Sequence, residues 1–175
     1  MKRTIAISVL AIMGATMASQ ALAQESKPLG LSVRAGIFLP TNDKAKKSGG
    51  KQWISGGVEY KLGDLNYAAG TGQMSGSYSL SVDIYQKKDY RHMPVLLNYT
   101  SRMADGMYFN AGAGVGFVRE LDNTNARKSG SAFSYQLGVG KDFSRGKTPF
   151  FVEAKWVGSS KKSVSGYGIF VGARF

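Results

Sequence analysis

Between residue 29 and residue 175, the chain consists mostly of segments in which apolar side chains recur at every second position and alternate with glycine or polar residues. In the segment 107–118, for example, Phe109, Val115 and Phe117 share one face, and the other carries Gly112, Gly114 and Gly116. A period of two is the signature of β-strands, whose successive side chains point to opposite faces. The sequence therefore predicts an all-β chain, with strands over residues 29–39, 52–62, 77–86, 92–102, 107–118, 132–141, 150–157 and 166–175.

Six charged residues within these predicted strands lie on the face opposite the apolar one. They are Arg34, Glu59, Lys61, Asp83, Glu153 and Lys155. A soluble β-sandwich would also alternate, with its apolar face turned to a shared core. A charge on the lipid face of a transmembrane barrel costs about 2–4 kcal/mol at the midplane, so an apolar face free of charge through the strand middles favours such a barrel. Eight strands enclose an interior that side chains fill, and we expect the six charges to pair there as a lumen network.

The first 23 residues have the pattern of a secretory signal peptide. Lys2 and Arg3 precede a mostly apolar stretch over 4–17, and Ala21-Leu22-Ala23 is a small-x-small cleavage pattern. The stretch is too short and too dilute to span a bilayer, which needs about 20 apolar residues. We expect residues 1–23 to be removed and residues 24–175 to form a single barrel domain.

The connections between the predicted strands are long and basic at one end of the barrel. The long loops 41–51, 119–130 and 158–163 alternate with the short turns 103–106 and 144–148, although segment 63–76 is long for a turn and its boundaries are not defined by the pattern. Long extracellular loops and short periplasmic turns are typical of outer-membrane barrels, which predicts that the basic loops face outward.

The chain carries a net charge of +12, and the predicted outer loops contribute much of this excess. Their basic residues are Lys44, Lys46, Lys47, Lys51, Lys87, Lys88, Arg127, Lys128, Lys161 and Lys162. Two interpretations remain open: the charges keep the loops solvated, or they contact lipopolysaccharide phosphates or another anionic surface partner.

The last predicted strand has an apolar residue at every second position and ends in an aromatic one. The alternating residues are Tyr167, Ile169, Val171, Ala173 and Phe175. This pattern resembles the final strand of bacterial outer-membrane proteins, which the barrel-assembly machinery recognises during biogenesis. The whole mature chain resembles the small OmpA/OmpX-type barrel domains in layout. The resemblance implies an eight-stranded antiparallel up-and-down transmembrane β-barrel, exported through the periplasm to the outer membrane, with outer-membrane lipid and lipopolysaccharide as partners. We expect a monomer that binds no nucleic acid.

Some eight-stranded outer-membrane barrels are enzymes that remodel lipid A with a histidine, a serine and a carboxylate. The one histidine here is His92, in the sequence YRHMPV, and no serine follows at the close spacing such a site needs. We therefore expect a solvated histidine at the rim, no catalytic residues and no enzyme. With no cysteine and a single histidine, the sequence also predicts no metal site and no cofactor.

Three functions remain for the predicted barrel. The first is a structural, adhesion or surface-binding role through the basic loops. The second is a narrow pore for small solutes, and the third, which the histidine argument disfavours, is modification of lipid A.

Overall fold

The computed structural model describes residues 29–65, 75–121, 126–143 and 149–175; the predicted signal peptide lies outside this part of the chain. Eight strands occupy the described residues: β1 Leu31–Pro40, β2 Trp53–Leu65, β3 Ser75–Lys87, β4 Tyr90–Arg102, β5 Met107–Leu121, β6 Arg127–Phe143, β7 Phe150–Ser159 and β8 Gly166–Arg174. Two short helices accompany them, the α-helix α1 Asp43–Gly49 and a 3₁₀ helix Lys162–Val164.

The strands form a closed barrel in which each strand pairs antiparallel with its neighbour in sequence. β8 closes the barrel on β1, with a register that runs from Pro40 opposite Gly166 to Ser32 opposite Arg174. The prediction of an eight-stranded antiparallel up-and-down barrel is confirmed, and closure removes the exposed strand edges that an open sheet would present. Among the described residues, no helix is long and apolar enough to cross a membrane.

The outer wall of the barrel is apolar and exposed. Ile54 is 71% exposed, and on β8 Tyr167, Ile169 and Val171 are 56–60% exposed. Aromatic pairs mark both ends of this wall: Phe143 stacks on Phe150 at one end, and Trp156 meets Tyr167 edge-on at the other. An apolar wall of this extent is stable when lipid surrounds it, and aromatic girdles at both interfaces are typical of transmembrane barrels.

Two predicted loops are shorter than the alternation indicated. β5 and β6 remain paired as far as Leu121 opposite Arg127, so most of the predicted loop 119–130 is strand, and Arg127 and Lys128 lie within β6. β7 likewise extends to Ser159. The hydrogen bonds between strands need only a paired backbone, so a hairpin can continue past the apolar band of the wall. Beyond that band the side chains on both faces are polar, and the alternation that predicts a strand disappears.

The remaining loops at this end fold over the barrel as a lid, which we define as α1 and the 3₁₀ helix. The side chain of Asn42 caps α1 by accepting a hydrogen bond from the Ala45 amide. Thr41 joins the two lid segments, because its amide and hydroxyl both donate to the Ser165 carbonyl. Ala45 and Val164 point into the barrel and are fully buried. We call this end the lid end, and the opposite end, which carries the tight turn 103–106, the turn end.

Candidate functional site: a filled lumen beneath a basic surface

Aromatic side chains fill the lumen at the lid end. The ring centroid of Phe38 lies 5.4 Å from that of Trp53 and 4.7 Å from that of Tyr85, and Tyr85 meets Phe170 edge-on at 6.2 Å. Val164 of the lid packs into the same cluster. Aromatic pairs at such distances contribute about 0.5–1.5 kcal/mol each beyond the area they bury, so the cluster holds the lid against the barrel.

Below the aromatic layer, Arg34 binds two carboxylates. Its Nε and Nη2 donate to both oxygens of Asp83 at 2.7 and 2.8 Å, and its Nη1 donates to Glu59 at 2.7 Å. Arg34 and Asp83 come from strands on either side of β2, and Gly57 stands between them in register. Because Gly57 has no side chain, the guanidinium and the carboxylate meet across it as a bidentate pair, the strongest type of side-chain hydrogen bonding.

Lys155 extends this cluster to the opposite wall. Its Nζ lies 3.2 Å from Glu153 Oε2 and 3.7 Å from Asp83 Oδ2, and Arg34 Nη1 lies 3.8 Å from Glu153 Oε2. We call the five residues the central network: Arg34, Glu59, Asp83, Glu153 and Lys155. All are buried except Glu59, whose side chain is 13% exposed.

Lys61, the sixth predicted member of the lumen network, lies apart from the other five. Its Nζ is 2.6 Å from Asp64, and its side chain is 42% exposed. The pairing of β2 with β3 is irregular between Lys61 and Gly63, close to the turn end of the barrel. The flexible lysine stem therefore reaches water and a local partner, and the prediction that Lys61 joins a lumen network is wrong.

Uncharged amide side chains, which the predicted lumen network did not include, complete the middle layer. Gln136 donates to Asn98 at 2.7 Å and accepts from Lys155 at 3.4 Å, while Asn110 donates to Glu153. A Cβ at Gly112 would overlap Asn98, so this glycine provides room for the amide. The alternation of the predicted strands places these amides on the inward face, and that pattern alone would have predicted them as lumen residues.

A second ionic cluster, which was not part of the predicted lumen network, fills the turn end. Asp142 accepts from Arg102 at 3.1 Å and from Arg174 at 2.9 Å. The guanidinium of Arg174 also lies 4.3 Å from the ring centroid of Phe151 and 5.1 Å from that of Tyr108. Aromatic, ionic and cation–π layers thus follow one another from the lid end to the turn end.

His92 does not lie at a solvated rim. It is fully buried beneath the lid, so the expectation of a solvated histidine is wrong, and its Nε2 is 2.9 Å from Ser134 Oγ. Ser134 is 42 residues away in sequence, and Gly116 on the strand between them leaves the space for the contact. Among the described residues, no carboxylate is hydrogen-bonded to the imidazole, and no group of three His, Cys, Asp or Glu side chains could hold a metal ion.

The ten basic residues singled out in the sequence all lie at the lid end, on α1 and just after it, where β3 ends and turns into β4, at the start of β6 and at the 3₁₀ helix. Ion pairs within 4 Å join three of them to acids: Lys46 to Asp43, Arg127 to Asp89 and Lys161 to Glu120. Six others have no acid within 4 Å among the described residues: Lys47, Lys51, Lys87, Lys88, Lys128 and Lys162. The lid end is therefore a surface with excess positive charge.

A closed eight-stranded barrel with an apolar wall, girdles of aromatic residues and a polar interior is an integral outer-membrane protein of bacteria. The family model of the outer membrane protein beta-barrel domain matches residues 7–148, and the chain belongs to that family. No curated protein matches the sequence significantly.

Among solved structures, the crystal structure of the outer membrane enzyme PagL resembles this barrel. The match covers 81% of this chain and 97% of that chain, with a TM-score of 0.50 and 16% sequence identity. The expectation that the chain is not an enzyme is overturned by this match, because the same barrel fold carries an enzyme. At this identity the likeness shows the fold, and the chemistry has to be argued from the residues of this chain.

Proposed function

We propose that the protein is a closed outer-membrane barrel whose basic lid end faces the cell exterior and binds phosphate groups of lipopolysaccharide. One observation carries the proposal: ten basic residues lie at the end where the lid is packed onto the barrel, and six of them have no acidic partner among the described residues. Phosphates are abundant anions at that surface, and lysines recognise them as point charges.

The filled lumen supports a binding function over a pore. The aromatic cluster, the central network and the Asp142 cluster occupy successive levels of the barrel. In an eight-stranded barrel, side chains suffice to fill the interior. A planar-bilayer recording of the purified protein tests this choice, and steady ion conductance would favour the pore.

The binding proposal is tested with four lid-end substitutions made together, Lys44→Gln, Lys46→Gln, Lys47→Gln and Lys51→Gln. We expect weaker binding to vesicles that contain lipopolysaccharide and a smaller loss of binding on raising the salt concentration, because surface charges are screened by salt. The matched control neutralises the turn-end lysines Lys61 and Lys141. Equal effects of the two sets of substitutions would contradict a binding surface at the lid end.

A second candidate function is hydrolysis of an ester in lipid A, and the contact between His92 and Ser134 favours it. In this chemistry, the imidazole accepts the Ser134 proton as Oγ attacks the ester carbonyl, and the imidazolium returns that proton to the departing alcohol. Water, deprotonated by the imidazole, then attacks the acyl-serine ester, which releases the fatty acid and regenerates the serine hydroxyl. Both residues are fully buried beneath Val164, so the lid would have to open before a lipid could reach them.

Mass analysis of lipid A from cells that express the protein tests this candidate. We expect lipid A to lose an acyl chain in cells that express the parent protein, and to keep it in cells that express Ser134→Ala or His92→Ala. Unchanged lipid A in cells with the parent protein, correctly inserted, would rule out this activity.

A further inference from the structure

Two arginines stand directly opposite each other on the outer wall of the barrel at the lid end. Arg91 on β4 pairs in register with Arg119 on β5. Their neighbours along the strands, His92 and Val118, are buried in the lumen, so alternation turns both arginines outward. Like charges directly opposite each other destabilise an antiparallel pair unless a counter-charge is present.

No described residue supplies that counter-charge. The register continues the row to Gln86 on β3 and Ser129 on β6, both uncharged. We call Gln86, Arg91, Arg119 and Ser129 the arginine row. Within it, Arg91 Nη2 reaches only the weakly accepting sulfur of Met93, at 3.4 Å, and Arg119 Nε is shielded from water without a hydrogen-bond partner among the described residues.

The acids nearest in sequence have other partners. Asp89 is 2.6 Å from Arg127, and Glu120 accepts a hydrogen bond from Ser163 of the lid, on the other side of the strand from Arg119. The arginine row is therefore a cationic site that the described protein leaves open toward its surroundings.

The level of the row identifies those surroundings. The next outward positions toward the middle of the barrel are apolar, with Met93 opposite Phe117 and then Val95 opposite Val115. The arginines thus stand where the apolar wall ends and lipid headgroups begin. An outer-leaflet lipid places its phosphate at this level and its acyl chains along the apolar residues below.

We propose that the arginine row binds the phosphate of a lipopolysaccharide molecule that lies against strands β3 to β6. Guanidinium groups hold phosphate oxygens through paired hydrogen bonds, and two guanidinium groups on adjacent strands can clamp one phosphate between them. Gln86 and Ser129 add neutral donors at either side. This inference rests on the proposed function for the orientation of the lid end, but it concerns the lipid-facing wall and not the lid lysines.

The test compares the two arginines of the arginine row with two lysines at the opposite end of the barrel. Purified full-length protein is titrated with lipid A that carries its phosphates, and binding is followed by native mass spectrometry. The double variant Arg91→Gln/Arg119→Gln should lose at least about tenfold in affinity, since both guanidinium groups lose their charge-assisted hydrogen bonds to the phosphate. The control Lys61→Gln/Lys141→Gln, which removes two positive charges at the turn end, should change affinity by less than about twofold.

A second titration uses the same lipid with its phosphates removed, where the double variant and the parent should bind equally. Arg119→Lys keeps the positive charge but loses the planar guanidinium, so its affinity for the phosphorylated lipid should lie between those of the parent and the double variant. This variant replaces the double variant in the test if the double variant does not fold. The proposal would be overturned if Arg119→Lys and the double variant both bound lipid A as tightly as the parent. It would also be overturned if the double variant lost as much affinity for the phosphate-free lipid as for the phosphorylated one. Inorganic phosphate that binds as tightly as the lipid would overturn the assignment to lipid.

These outcomes separate the inference from the proposed function. Loss of binding in the lid-lysine variant alone would refute binding by the arginine row and would be consistent with binding by the lid lysines. Loss in the arginine variant alone would establish the arginine row and refute binding by the lid lysines.

Discussion

Arg34 shows how much a single residue can contribute to a barrel of this size. Its side chain is 1% exposed, and it holds Asp83 and Glu59 in direct hydrogen bonds. Without it, Lys155 would be the one cation left beside three carboxylates in the central network. An unpaired buried charge costs far more than a surface pair gains, because desolvation is no longer compensated.

We predict that Arg34→Ala lowers the free energy of unfolding by about 3–5 kcal/mol, less if water enters the vacated space. The measurement is urea unfolding in detergent, followed by the fluorescence of Trp53 and Trp156. Lys61→Ala is the control, because its exposed pair with Asp64 should contribute at most about 1 kcal/mol. Equal midpoints for Arg34→Ala and the parent would show that the central network is solvated.

Among the elements, β8 closes the barrel and also carries the proposed assembly signal. Its register with β1 spans nine residue pairs, from Pro40 and Gly166 to Ser32 and Arg174. Just beyond the strand, Phe175 and Leu31 exchange backbone hydrogen bonds of 2.7 and 3.2 Å. The final residue therefore has two separable contributions, the backbone bonds that close the barrel and the aromatic ring.

We predict that Phe175→Ala reduces the amount of inserted protein and that Phe175→Tyr restores it, because the proposed assembly signal is the aromatic ring and both variants keep the backbone bonds. Deletion of Phe175 should be at least as harmful as Phe175→Ala. The measurement is the heat-modifiable band in the outer-membrane fraction, with protease sensitivity in the periplasm. Normal insertion of Phe175→Ala would show that the ring is dispensable for assembly.

At the scale of the whole molecule, the barrel is asymmetric along its axis. Among the residues that the structure describes, the lid end carries both helices and ten basic residues, whereas the turn end carries the Asp142 cluster and the four-residue turn 103–106. Gly106 adopts a φ of 85°, as expected for a glycine in a tight turn. This asymmetry motivates the proposed orientation, with the lid end outside the cell.

The orientation predicts how single cysteines react on intact cells, and the chain has no cysteine of its own. Ser160→Cys, exposed at the lid end, should react with an impermeant thiol reagent, and Ala104→Cys, exposed at the turn end, should not. Both should react in lysed cells, which is the control for accessibility. Labelling of Ala104→Cys alone on intact cells would reverse the orientation.

The sequence by itself determined the strands and the two faces of the wall. Side-chain direction in a strand depends only on whether a position is odd or even, so alternation alone placed Ile54 and Val171 outside and Arg34 and Asp83 inside. The same rule could have found Asn98, Gln136 and Arg174. It could not place the ends of β5 and β6, because the ladder continues where the alternation stops.

The tertiary structure decided which inward side chains meet. Arg34 and Asp83 are 49 residues apart, and they join because the register brings Gly57 between them. His92 and Ser134 meet in the same way across Gly116, which reversed the expectation of an isolated histidine. Such contacts depend on the stagger between strands and on closure of the barrel, which are properties of all eight strands together and leave no signature in any one segment.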